Sequence, residues 1–157
     1  GAIICFFGQG ADAASMIEPY AAMMEQLGVG RVVRRTGDLW PGAPGCSLTA
    51  SAALIEREPE LVQKVVRAYV KATAYVYSHL DDTAELAAPF IGVHPDIVRR
   101  ALQANQPDNN AIRNQASIGK ILELMKQLGY VDTTPEHFAD LRFLDHVQAE
   151  ALRAPHA

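Results

Sequence analysis

Apolar positions change their spacing at about residue 59. From there on they recur every three or four residues, whereas earlier they fall in short runs broken by Gly and Pro. Leu61, Val62, Val65, Val66, Tyr69, Val70, Thr73 and Tyr77 form one such series, which predicts a long amphipathic helix opened by Pro59. Val62, Val66, Tyr69 and Val70 are expected on its buried side, with Lys64, Arg67 and Lys71 in solvent. Asp82-Thr83-Ala84-Glu85 is a capping-box-like start for a second helix that ends near Gly92. His94-Pro95-Asp96 opens a third, running to about Ala104, and Gln106–Asn110 is a polar loop. Ile118, Ile121, Leu122, Met125 and Leu128 mark another helix stopped by Gly129. Thr134-Pro135-Glu136 predicts a short helical turn, and Leu144, Val147, Ala151 and Leu152 a last helix before a frayed tail over Ala154–Ala157.

The first part of the chain reads differently. Ala2–Phe7, Ala13–Ile17 and Val29–Val33 are short apolar runs among glycines. Ala13–Ile17 and Arg31–Arg35 are expected as strands. Between them Pro19 opens a helix carrying Tyr20, Met23, Met24 and Leu27, stopped by Gly28 and Gly30. Trp40-Pro41-Gly42-Ala43-Pro44-Gly45 cannot be regular structure and reads as a linker between two structural units. Cys46–Ala52 alternates and is expected as one more strand. The fold class that follows is α/β with a helix-rich C-terminal portion. Three short strands are too few for an independent sheet, and their open edges invite pairing. The expected remedies are a homodimer formed through uncovered sheet edges, or a longer chain whose other half covers them.

Composition narrows the function classes. The 157 residues suit one ordinary domain, and 49% apolar against 20% charged is a globular balance. A net charge of −4, with 14 scattered basic residues, argues against a nucleic-acid partner, whose phosphates need clustered Lys and Arg. No apolar run reaches the roughly 20 residues of a membrane helix. Cys5 and Cys46 can build neither a disulfide framework nor a four-cysteine zinc site.

Catalytic patterns are thin. His79, His94, His137, His146 and His156 include no His-x-x-x-His pair, so no metal ligand set, cofactor or catalytic residue is assigned. There is no nucleophile elbow and no phosphate-binding glycine loop; Gly8-Gln9-Gly10 is too short. His94 and the Asp81-Asp82 pair read most simply as helix-start residues. Arg34-Arg35 is either an anion holder or a solvated strand end, and Met16, Met23 and Met24 are either cleft lining or core. Glu18-Pro19-Tyr20 stands out: a carboxylate and an aromatic ring at a strand-to-helix turn, where open α/β folds bind ligands. The alternative for Glu18 is an acid that complements the helix dipole.

The run Leu54-Ile55-Glu56-Arg57-Glu58-Pro59-Glu60-Leu61 through Ala68-Tyr69-Val70-Lys71-Ala72 resembles the nitrate/sulfonate/taurine family of ABC-transporter solute-binding proteins, which also includes thiamine-pyrimidine-like members. Ala84-Glu85-Leu86-Ala87, Gly92-Val93-His94-Pro95-Asp96 and Met125-Lys126-Gln127-Leu128-Gly129-Tyr130 are similar to its C-terminal third. Asp12-Ala13-Ala14, Glu18-Pro19-Tyr20-Ala21 and Gly28-Val29-Gly30-Arg31-Val32 are similar to the last strand–helix–strand of its second lobe. Gln9 replaces a usual glycine, although Gly8 and Gly10 flank it. Ile17 stands where sulfonate binders often carry Trp, and the cysteine-rich iron motif of the family's thiamine-pyrimidine synthases is missing.

The resemblance implies about half of a two-lobe periplasmic-binding-protein fold of type II. Residues 1–45 would be the remnant of the second lobe with the hinge, and residues 46–157 the C-terminal helical part of the first. It implies a non-enzymatic protein, periplasmic or anchored outside the cytoplasmic membrane, that captures a small organic solute in an interlobe cleft for a membrane permease. Met16, Glu18, Pro19 and Tyr20 are the candidate ligand contacts, with Glu18 accepting hydrogen bonds from an amine or ring N–H. The alternatives are a thiamine-pyrimidine-synthase-like enzyme and a helical interaction module without a small-molecule ligand.

Overall fold

Helices start and stop in the computed structural model where local chemistry satisfies their ends. The structure describes residues 2–132 and 138–153. In order along the chain, the helices are α1 (Ala2–Phe7), α2 (Tyr20–Gln26), α3 (Thr36–Leu39), α4 (Ala52–Arg57), α5 (Pro59–Ser78), α6 (Leu80–Ile91), α7 (Pro95–Ala104), a 3₁₀ turn (Ala111–Arg113), α8 (Gln115–Gln127) and α9 (Arg142–Arg153). His94 caps α7, its Nδ1 accepting the Asp96 N–H at 3.2 Å, and Pro95 supplies a first-turn residue without an orphan N–H. Asn114 caps α8 by accepting from the Ser117 N–H. Gly92 ends α6 at φ +79°, a left-handed conformation that suits glycine. The capping-box reading of Asp82–Glu85 needs a small correction. α6 begins two residues earlier, behind His79, and Asp81 and Asp82 occupy its first turn, where carboxylates complement the dipole. The turn expected at Thr134–Glu136 and the tail Ala154–Ala157 lie outside the described residues.

The strand expectations are not met. Ala13–Ile17, Arg31–Arg35 and Cys46–Ser51 carry neither helix nor ladder, and no strand occurs among the described residues. The reason is the one that made these strands suspect: an extended segment becomes a strand only when a neighbour takes its N–H and C=O groups. Among the described residues there is therefore no formed sheet edge of the kind an edge-paired homodimer would use. At the end of Cys46–Ala52, Ser51 instead caps α4, its hydroxyl accepting the Leu54 N–H at 3.2 Å. The apolar run Ala2–Phe7 is helical, and Gly8-Gln9-Gly10 ends it, with Gly8 and Gly10 N–H donating to the Ile4 and Cys5 carbonyls.

The chain divides into two compact units, each built from two stretches of sequence. Unit 1 comprises Gly1–Arg35 and Ala74–Pro107; unit 2 comprises Thr36–Thr73 and Asp108–Ala157. The irregular Trp40–Gly45 segment therefore lies inside unit 2. In unit 1, Ala22 packs with Ile97 and Ala101, and Ala84 and Ala88 pack with Val98, so that α7 is held between α2 and α6. Phe6 sits against Gly30, where a side chain's first carbon would come within 2.8 Å of the ring. In unit 2, Val62, Ile118, Leu122, Leu144 and Val147 are buried. Gln63 donates to the Phe143 carbonyl, and Arg67 makes a two-pronged ion pair with Glu150, joining α5 to α9. Arg113 reaches Asp145 and Gln148 from the 3₁₀ turn.

Candidate functional site

The residues singled out in sequence lie consecutively at the entry to α2, in unit 1. Met16, Glu18, Pro19 and Tyr20 are half-buried, while Ile17 between them is exposed. A tight turn sets their order: the Ile17 carbonyl accepts from the Tyr20 N–H at 3.1 Å, and the Pro19 carbonyl from the Met23 N–H at 3.0 Å. Pro19 is the residue before the first helical turn.

Glu18 is the organising group. Its Oε2 accepts the Ala22 N–H at 3.0 Å, satisfying one of the donors that a helix start leaves open. Its Oε1 accepts from Arg35 Nη1 at 3.0 Å. The Glu18 side chain is only 10% exposed, against 43% for Arg35. The carboxylate thus complements the helix start and also ties the turn to the segment after Gly30. Its negative charge is answered within the chain, so Glu18 by itself does not select a cationic ligand. Each carboxylate oxygen keeps a second lone pair. The Arg35 contact leaves no mark in the sequence, because no spacing rule links residues 17 apart.

A second carboxylate fixes the other end of α2. Glu25 accepts the Val32 N–H at 2.9 Å and pairs with Arg100 of α7. The Val32 hydrogen bond, with Arg100 beside it, holds the Glu25 carboxyl below its ordinary range. Met24 is buried and Met23 packs against the Ala22–Ile97–Ala101 cluster, so these two methionines are core.

A separate open groove of about 540 Å³ lies where α6 turns into α7, lined by Glu85, Ala88, Pro89, Val93, His94 and Pro95. Its sequence signal was the closeness of the Gly92 stop to the His94-Pro95 start, which folds one helix back on the next. Among the described residues, no group of three His, Cys, Asp or Glu side chains is placed to hold a metal ion. No helix among them is long and apolar enough to cross a membrane.

The model of the NMT1-like family matches residues 9–92, which is more than half of the chain and includes the whole Glu18 turn. The chain belongs to the NMT1-like family. This bears out the resemblance to the nitrate/sulfonate/taurine solute-binding proteins drawn from the motifs at Glu18-Pro19-Tyr20 and Glu58-Pro59-Glu60. Membership of the NMT1-like family is consistent with a solute-binding role in ABC importers and with a protein that binds rather than catalyses. No curated protein and no solved structure matches the chain. The NMT1-like match ends at Gly92, so α7, α8 and α9 lie beyond it.

Proposed function

We propose that this chain serves in the solute-binding component of an ABC importer and helps to capture a small organic solute in an interlobe cleft. The observation that carries the reading is the NMT1-like match across residues 9–92, which contains the Glu18-Pro19-Tyr20 turn. In this reading Met16, Pro19 and Tyr20 contact the solute, and Glu18 holds the turn in place and offers its remaining lone pairs to a solute N–H. The α/β two-lobe architecture belongs to the longer protein, whose strands pair with Ala13–Ile17 and Arg31–Arg35. Residues 1–45 then form part of the second lobe and hinge, and residues 46–157 the helical part of the first. The protein acts outside the cytoplasmic membrane and delivers its solute to a membrane permease without chemical change.

The test is a thermal-shift screen of the full-length gene product against amines, heterocycles, sulfonates and nitrate. A true solute at 100 times its Kd raises stability by about 2.7 kcal/mol. Tyr20→Ala should then weaken it by about tenfold, as loss of an aromatic anchor does. No shift with any member of the panel, or full affinity in Tyr20→Ala, overturns the assignment of this turn.

A further inference from the structure

Two carboxylates, one just before α2 and one near its end, grip the same short segment after Gly30. Glu25 accepts the Val32 N–H at 2.9 Å, and Glu18 accepts from Arg35 Nη1 at 3.0 Å. Glu25 also pairs with Arg100 of α7, the helix whose Ile97 and Ala101 pack on Ala22. The segment that carries Arg35 is thereby anchored to α2 and through it to the buried cluster of unit 1.

The Arg35 bond decides how the Glu18 carboxylate is held. The Ala22 N–H binds Oε2 and Arg35 binds Oε1, so both oxygens are engaged and the plane of the group is fixed; one bond alone would let it turn. The Glu18 side chain is nearly buried, which leaves little water to take the place of Arg35. Arg34, the neighbouring cation, is exposed and has no polar partner among the described residues. Of two adjacent arginines, the one that reaches the turn is Arg35.

We propose that Arg35 is a positioning residue for the solute turn: through Glu18 Oε1 it holds the carboxylate so that its remaining lone pairs meet a solute N–H beside Tyr20. The inference rests on the solute-binding reading above and adds to it a residue outside Met16–Tyr20. A binding group is only as precise as the contacts that lock it, so loss of the lock costs affinity even where the group itself remains.

Two measurements on the full-length gene product test this. One is residue-resolved hydrogen exchange; the other is titration with the amine or N–H heterocycle giving the largest thermal shift, from a panel that includes benzylamine and benzimidazole. Arg35→Met keeps the stem and removes the donors. It should speed exchange of the Ala22 amide, which Glu18 holds, and spare that of Met23, which the Pro19 carbonyl holds; general loosening of the helix would speed both. Affinity should fall about tenfold. Arg35→Lys should recover part of it, and Arg34→Met should change neither readout. Because Arg35 acts through Glu18, Arg35→Met should cost nothing further in a Glu18→Ala background. Unchanged Ala22 exchange, affinity losses that add, or equal losses in Arg34→Met overturn this inference and leave solute binding standing. So does binding confined to sulfonates or nitrate, which bring no N–H. No thermal shift with any solute overturns the functional reading, and this inference with it.

Discussion

The two units solve the same packing problem with side chains of different size. In unit 1 the buried seam is made largely of alanine: Ala22 and Ala101 on one side of α7, Ala84 and Ala88 on the other, with Ile97 and Val98 between. In unit 2 the buried side chains are larger (Val62, Ile118, Leu122, Leu144, Val147), while arginines link distant stretches in both units: Arg67 to Glu150 and Arg113 to Asp145 in unit 2, Arg35 to Glu18 and Arg100 to Glu25 in unit 1. Small residues let helices approach closely and leave no slack for added volume. Long polar links hold orientation but stand partly in water, where ion pairs are screened. Unit 1 should therefore be the more sensitive to added volume and to buried charge, while the exposed ion pairs of either unit should respond to salt.

The largest effect is expected from Val98→Asp. Val98 is 3% exposed between α6 and α7, and an unpaired charge there should cost about 3–5 kcal/mol and unfold unit 1 in a urea titration. Next comes Ala84→Leu, at a position with no exposure, where overpacking should cost about 1–3 kcal/mol. If the Leu variant is as stable as the parent chain in the same titration, the α6–α7 seam is looser than its alanines imply, and the contrast between the units fails.

In unit 2, Glu150→Gln removes the negative charge that Arg67 and His146 share, leaving one neutral acceptor. It should lower the melting temperature by less than Ala84→Leu does, and the difference from the parent should shrink in high salt. A salt-independent loss would mean that Glu150 acts through packing.

The smallest effect is one of pH. Glu25 titrates below its ordinary value of 4.5 because it accepts the Val32 N–H and lies beside Arg100. A carboxyl depressed in the folded state contributes stability that is fully present above its unfolded value and lost as pH falls through the folded one. Melting temperatures between pH 6 and pH 3 should thus fall less steeply in Glu25→Gln than in the parent chain. Parallel curves would remove Glu25 from the acid response.

The helical half of this architecture was legible because its signals are local. Gly92, His94-Pro95 and Gly129 act on the backbone within a turn of themselves, and α6, α7 and α8 begin or end where those residues say. The extended segments were not legible in the same way, since a strand is defined by a neighbour the pattern cannot name. Ser51 shows how a local cap takes over at the end of such a segment. The α5 stripe was half right. Apolar residues from Leu61 to Thr73 span a wider arc than one neighbouring layer covers, so Val62 is buried while Tyr69 stays exposed and Arg67, expected in solvent, lies half-buried on Glu150. At the candidate site the turn was legible from Glu18-Pro19-Tyr20. The Arg35 tie was not, because it is a tertiary contact between two segments that carry no shared period.

Hydrogen exchange on the full-length gene product, with and without the solute giving the largest thermal shift, tests the central claim most directly. Capture at the α2 turn should slow exchange of the amides from Met16 to Met24, and Tyr20→Ala should abolish that added protection. Protection confined to other segments, with Met16–Met24 unchanged by a solute that binds, would contradict the site on which the functional reading rests.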